Sequence, residues 1–163
     1  MTATTTPETR VEADPTVPVI RIVREFDAPP ERVFRAFTDP DVFVRWLGPT
    51  TMSVRLDAWE AHSGGRYRYT MLGDGGAETA TFWGSFHELR SPDRLVQTQS
   101  MEGVGDGAIL NTLTFEDLGD GRTRLTDQTL AESFEMRDMI LSTGMADGVV
   151  AGYKKLDALL AEG

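Results

Sequence analysis

Phe134-Glu-Met-Arg-Asp-Met-Ile-Leu-Ser-Thr-Gly-Met-Ala-Asp-Gly-Val-Val-Ala-Gly-Tyr-Lys-Lys-Leu-Asp-Ala-Leu-Leu-Ala161 is the stretch that decides the fold. Met136, Ile140, Leu141, Met145, Val149, Tyr153, Leu156 and Leu160 follow at three- and four-residue steps with no proline among them, so they share one helical face. The spacing predicts one long helix from about Phe134 to Ala161. Before it, from Met52 to Leu130, the helical period is missing. Short β-type runs occupy Met52 to Ala58, Gly65 to Leu72, Thr79 to Leu89, Leu95 to Met101, Ala108 to Phe115 and Thr123 to Leu130. Asp74-Gly75, Ser91-Pro92-Asp93, Asp106-Gly107 and Asp120-Gly121 supply turns between them. Six strands in a row imply an antiparallel meander.

Upstream, Val19-Ile-Arg-Ile-Val-Arg-Glu-Phe26 reads as a further strand, with Ile20, Ile22 and Phe26 on one parity and Arg21 and Glu25 on the other. Pro29-Pro30 opens a short helix reaching Phe37, and Asp39-Pro40 caps and opens a second through Val42, Phe43 and Trp46, closed by Gly48-Pro49. The order predicts an α+β fold: a curved seven-stranded antiparallel sheet gripping a long C-terminal helix, with two short helices after the first strand. A sheet bent around one helix leaves an internal space, where a functional site is expected. Residues 1–18, rich in Thr and Pro with little to bury, read as a flexible leader, and 19–163 as a single domain.

Of 163 residues, 16 are Lys or Arg and 26 are Asp or Glu, a net charge of −10. With no basic run longer than Lys154-Lys155, nucleic-acid binding is not expected. The absence of cysteine excludes disulfides, thiolate nucleophiles and Cys-ligated metals, and fits a cytoplasmic setting. No stretch approaches the ~18 apolar residues of a membrane helix, and residues 1–18 lack a secretory pattern. His62 and His87 are the only histidines and read as surface residues, so no metal is assigned. Ser85 has no nucleophile elbow around it, and the Gly73 to Gly76 and Gly103 to Gly107 runs lack a phosphate-loop ending.

Strand parity indicates what faces the internal space. Tyr67, Tyr69 and Met71 point inward, with Arg66 and Arg68 outward; Ile109, Asn111, Leu113 and Phe115 point inward on a later strand. On the last strand the inward class of Leu125 carries Asp127 and Thr129 with it. Asp127 is the sharpest anomaly, a carboxylate that can bind a cationic or hydroxylated ligand or act as a general base, or else a strand-end acid that is solvated or paired with an Arg. Gln97 and Gln99 run in phase with Leu95 and Met101 toward the same space, although the opposite parity, with Val96, Thr98 and Ser100 inward, stays open. Trp46 is expected at the pocket mouth as a gate or stacking surface, and Met71, Met136, Met139 and Met145 as adaptable lining. Gly144, Gly148 and Gly152 form a bare stripe on the helix, read either as close packing or as pocket volume. The expected ligand-binding set is Trp46, Tyr67, Tyr69, Met71, Gln97, Gln99, Asn111, Leu113, Asp127, Met145 and Val149, with Asp127 also the catalytic candidate.

Several separate motifs also carry a resemblance. Phe26-Asp-Ala-Pro-Pro-Glu-Arg-Val-Phe34, Phe37-Thr-Asp-Pro40, Trp46-Leu-Gly-Pro49, Gly64-Gly-Arg-Tyr67, Gly84-Ser-Phe-His-Glu88, Asp93-Arg-Leu-Val96, Arg137-Asp-Met139 and Ser142-Thr-Gly-Met145 occur in this order. Over about Val19 to Leu160 the chain resembles the START/Bet v 1-like SRPBCC superfamily, and within it the branch named after the activator of Hsp90 ATPase. The resemblance implies a helix-grip fold and, as the first expectation, cofactor-free binding of a small, partly hydrophobic molecule between sheet and helix. Where relatives often carry aromatic or aliphatic residues, Gln97, Gln99, Asn111 and Asp127 point to a more polar ligand. A cyclase or hydratase using Asp127, helped by Asn111 or Tyr69, is the second reading. A chaperone-related, stress-response interaction protein is the third and least supported, since the eukaryotic activators have several domains. A homodimer stays open.

Overall fold

The computed structural model describes residues 8–104 and 107–162, so Asp106 of the expected Asp106-Gly107 turn and residues 1–7 of the expected leader lie outside the described residues. The elements run β1 (Arg10–Ala13), β2 (Val19–Phe26), α1 (Pro30–Thr38), α2 (Pro40–Trp46), β3 (Ser53–Trp59), β4 (Arg66–Leu72), β5 (Glu78–Arg90), β6 (Arg94–Met101), β7 (Ile109–Gly119), β8 (Arg122–Leu130), α3 (Phe134–Ser142) and α4 (Met145–Ala161). One antiparallel sheet in the order β1-β2-β8-β7-β6-β5-β4-β3 holds every strand. Register shifts at Leu56/Ala58, Met71/Leu72, Phe86/Glu88 and Asp117/Gly119 interrupt the ladder, and such bulges bend the strands that carry them.

The described residues thus hold eight strands, not seven. The additional one, β1, lies in the stretch expected to be a flexible leader and pairs with β2 from Arg10↔Val23 to Ala13↔Ile20. Only Val11 of β1 packs against the core, so the strand is held mainly by the backbone groups that β2 would otherwise leave unpaired at the sheet edge. Composition reports buried apolar content and misses an edge strand of this kind.

The C-terminal helix is also two helices rather than one. Gly144 adopts φ 80°, ψ 18°, a left-handed conformation that suits glycine, and stands between α3 and α4. Just before it, the hydroxyls of Ser142 and Thr143 donate to the carbonyls of Met139 and Ile140 at 2.6 Å each, and the Thr143 N–H also donates to Ile140 at 3.2 Å. These local bonds take up carbonyls that a continuing helix would use. The apolar period runs through the break because Ile140 and Leu141 of α3 and Met145 and Val149 of α4 all pack against the core, which is why spacing alone joins the two segments.

The core sits between the inner face of the sheet and α1, α2 and α4. Ile20, Ile22 and Phe26 of β2, Phe86 of β5, Leu95 of β6, Leu113 and Phe115 of β7 and Leu125 of β8 are buried in one cluster with Leu156 and Leu160 of α4. Edge-to-face pairs lock one end: Phe26 with Tyr153 at 5.4 Å and Phe34 with Phe115 at 5.3 Å. Arg24 shares the inward parity of Ile22 and Phe26, which the sequence reading passed over. It is buried, its guanidinium donates to both carboxylate oxygens of Asp157 on α4, at 3.0 and 2.5 Å, and to Glu25 O at 2.7 Å, and it lies 4.9 Å from the Phe26 ring centre.

Candidate functional site

Beyond this filled end, the sheet and the two C-terminal helices diverge around a cavity of about 700 Å³. Its walls are mostly apolar. Met52, Met71, Met101, Met136, Met139 and Met145, every methionine after Met1, line it together with Phe43, Trp59 and Phe82. Unbranched thioether side chains change shape at low cost, so such a wall adapts to irregular guests. Val104, 51% exposed, and Met139, 45% exposed, are lining residues that reach the surface, which puts the opening beside α3.

A polar stripe crosses this apolar space. Register sets Gln97 of β6 opposite Asn111 of β7, and Asn111 opposite Thr129 of β8; Asp127 lies two residues along β8, opposite Leu113. Because side chains alternate along a strand, this register brings the four polar groups to one face. The Asn111 amide donates to Thr129 Oγ1 at 2.9 Å, and the Thr129 hydroxyl donates to Asp127 Oδ1 at 3.3 Å. Among the described residues nothing donates to Asp127 Oδ2, and no cationic side chain forms an ion pair with Asp127. Burial pushes the Asp127 carboxyl up to about 6, against the opposing effect of the polar Thr129 and Asn111 side chains beside it. Asp127 keeps some accessible surface, and as a lining residue it turns that surface to the cavity.

Three tyrosines add neutral hydroxyls. Burial raises the Tyr67, Tyr69 and Tyr153 phenols above their ordinary value, and for Tyr153 the nearby Asp127 adds to the shift. Tyr67 donates to the carbonyl of Thr98 at 2.7 Å and comes within 3.5 Å of Gln99 Oε1. The hydroxyls of Tyr69 and Tyr153 have no hydrogen-bond partner among the described residues, and neither has the side-chain amide of Gln97. Among the described residues no fully buried side-chain nitrogen or oxygen lacks a partner, so these unpaired groups keep surface in the cavity, where water or a polar ligand can satisfy them.

Trp46, Tyr67, Tyr69, Met71, Gln97, Gln99, Asn111, Leu113, Asp127, Met145 and Val149 all lie on the wall of this one cavity. Ser100, of the opposite parity to Gln97 and Gln99, lines it as well, where β6 ends. Trp46 is not at the mouth. Its indole N–H donates to Ala36 O at 2.8 Å and its ring packs against Phe37 and Phe43, so it is a fixed part of the wall. Phe43 and Trp59, absent from the expected binding set, also line the cavity, with rings 4.7 Å apart. Tyr153 lines it too, although its helical spacing is that of the buried Leu156. His62 and His87 are exposed and away from the cavity. The glycine stripe divides: Gly144 caps α4, a Cβ on Gly152 would come 3.1 Å from Trp46 O, and Gly148 lines the cavity with only Pro49 nearby, at 3.9 Å.

A family model described as activator of Hsp90 ATPase homolog 1-like protein matches residues 27–161. Among solved structures, the chain is similar to a protein from Arthrobacter aurescens determined by solution NMR. The two are 31% identical over 94% of this chain and 92% of that one, with a TM-score of 0.84. Crystal structures of a Rhodobacter sphaeroides protein (25% identity, 95% and 99% of the chains, TM-score 0.85) and of a Mycobacterium smegmatis protein (25%, 93% and 96%, 0.82) are similar as well. No curated protein matches the chain.

Proposed function

Since the chain belongs to the family of activator of Hsp90 ATPase homolog 1-like proteins, we propose that it binds a small, partly hydrophobic molecule, without a cofactor, in the cavity between the sheet and α3 and α4. The observation that carries this reading is one lining with two characters. A methionine and aromatic wall surrounds a stripe in which Asp127, Gln97, Tyr69 and Tyr153 keep hydrogen-bonding capacity that no other described residue uses. A pocket of a few hundred Å³, apolar with a few placed polar groups, is the ordinary form of a small-molecule site.

The test is uptake of Nile red, a neutral dye that brightens in apolar surroundings. Saturable one-to-one binding is expected, together with its loss in Gly148→Phe, which places a ring where Gly148 leaves open space. An unchanged affinity in a folded Gly148→Phe protein would place the dye elsewhere and overturn the reading. A second reading, proton transfer by Asp127 on a bound substrate, is favoured by a carboxyl that titrates near 6 in a desolvated setting. It requires a captured molecule to be chemically altered by the natural protein and left intact by Asp127→Asn.

A further inference from the structure

The cavity holds a charge that the protein itself does not balance. Arg24 of β2 and Tyr153 of α4 are the charged and titratable groups that face Asp127 from the neighbouring elements. Arg24 is committed elsewhere, to Asp157, to Glu25 O and to Thr9 Oγ1. Tyr153 stays neutral because burial raises its phenol. Thr129 donates to one carboxylate oxygen, and Asn111, whose amide is bonded to Thr129, is the other neutral polar group beside the carboxyl. The other oxygen is without a donor among the described residues.

Resting on the binding function proposed above, we propose that the ligand is an amphipathic amine, its ammonium paired with Asp127 and its apolar body against the methionine wall. A buried carboxylate without a cation is held at a cost, and a ligand ammonium removes it while making charge-assisted hydrogen bonds to Oδ2. The free Gln97 amide oxygen and the Tyr69 and Tyr153 hydroxyls stand on the same wall to accept the remaining N–H groups. Aromatic faces there, including those of Trp46 and Tyr153, also favour a cation over a neutral or anionic head. A carboxylate ligand would meet Asp127 with like charge. An alcohol would leave the charge where it was.

Displacement of Nile red by octylamine, 1-octanol and octanoate, which share one chain and differ in head charge, separates these cases. At pH 7.5 octylamine is expected to compete at concentrations at least about tenfold below 1-octanol, with octanoate weakest. In Asp127→Asn the amine and the alcohol should converge, each read against that variant's own Nile red affinity. In the unaltered protein the advantage of octylamine should fade as pH falls from 7.5 to 5 and Asp127 takes up a proton, with 1-octanol unaffected. Equal competition by amine and alcohol at pH 7.5, or an amine preference that survives Asp127→Asn or acidification, overturns the amine assignment and leaves cavity binding standing. Failure of Nile red to bind at all overturns both. Should Asp127→Asn misfold, the pH series on the unaltered protein decides alone.

Discussion

The groove between sheet and C-terminal helices has two ends, each with one acid of interest, and they are built on opposite terms. At the filled end Arg24, 1% exposed, faces Asp157 and lies over the Phe26 ring, which packs edge-on against Tyr153. At the open end, diagonally across the β2–β8 ladder, Asp127 faces the cavity with a single hydroxyl donor and no cation. Both carboxylates are half-buried, yet one has its counter-ion from the same chain and the other has none among the described residues. A charge neutralised internally is structural, because removing its partner damages the fold. A charge left over is available for something that arrives.

Breaking the filled end should therefore have the largest effect. Asp157→Asn leaves Arg24 buried without its counter-ion, and loss of one partner of such a pair costs about 3–5 kcal/mol. With the Asp157 side chain 33% exposed, water reaches the pair, so the expected loss lies near the lower figure, about 3 kcal/mol. Urea denaturation at pH 7.5 measures it. A loss under about 1 kcal/mol would mean that Arg24 is satisfied by Glu25 O and Thr9 alone, and the contrast between the two ends would disappear.

The same logic reverses sign at the open end. The folded Asp127 carboxyl keeps its proton up to about pH 6, whereas an unfolded one releases it near 3.8, so in this interval the native state binds more protons and stability falls as pH rises. The ionised carboxylate is thus a burden above pH 6 and none below pH 4. Asp127→Asn, neutral at every pH and of the same shape, should stabilise the ligand-free protein by about 1–3 kcal/mol at pH 7.5. At pH 4 the gain should vanish. Thermal unfolding of both proteins at the two pH values checks the sign, and a variant less stable than the parent at pH 7.5 would show that Asp127 has an internal partner after all.

What the sequence made legible follows the same division. The meander, the two short helices and the inward parity of Tyr67, Tyr69, Asn111, Leu113 and Asp127 were readable because each rests on local periodicity. Turn chemistry was equally local: Asp120 and Gly121 take φ of 56° and 72° in the β7–β8 hairpin. The features that escaped depend on distant partners. β1 exists because β2 has a free edge, and the inward Arg24 is tolerable because Asp157, 133 residues away, meets it. Tyr153 and Phe43 have the spacing of core residues, and nothing local distinguishes a side chain that packs from one that walls a cavity. The mouth was misplaced for a related reason: Trp46 reads as a large aromatic at a helix end, while its anchoring bond runs to Ala36 of the preceding helix.

The smallest effect is expected on α4, where two glycines one turn apart belong to different ends of the groove. Alanine is favoured over glycine in a helix by about 1 kcal/mol, so both substitutions begin with the same gain. At Gly152 the new methyl would lie 3.1 Å from Trp46 O and 3.4 Å from Gly48 N, backbone atoms that can yield only if α2 moves off α4. Overpacking of this kind costs about 1–3 kcal/mol, which offsets the gain and makes Gly152→Ala neutral to destabilising. At Gly148 the methyl meets only Pro49 at 3.9 Å, so Gly148→Ala keeps the gain and stabilises by about 0.5–1 kcal/mol. Opposite signs in parallel urea titrations would show that the gap between α4 and the Trp46–Pro49 segment after α2 widens within one helical turn. If Gly148→Ala destabilises as Gly152→Ala does, the open end is narrower than its lining implies and the division between the two ends fails at α4.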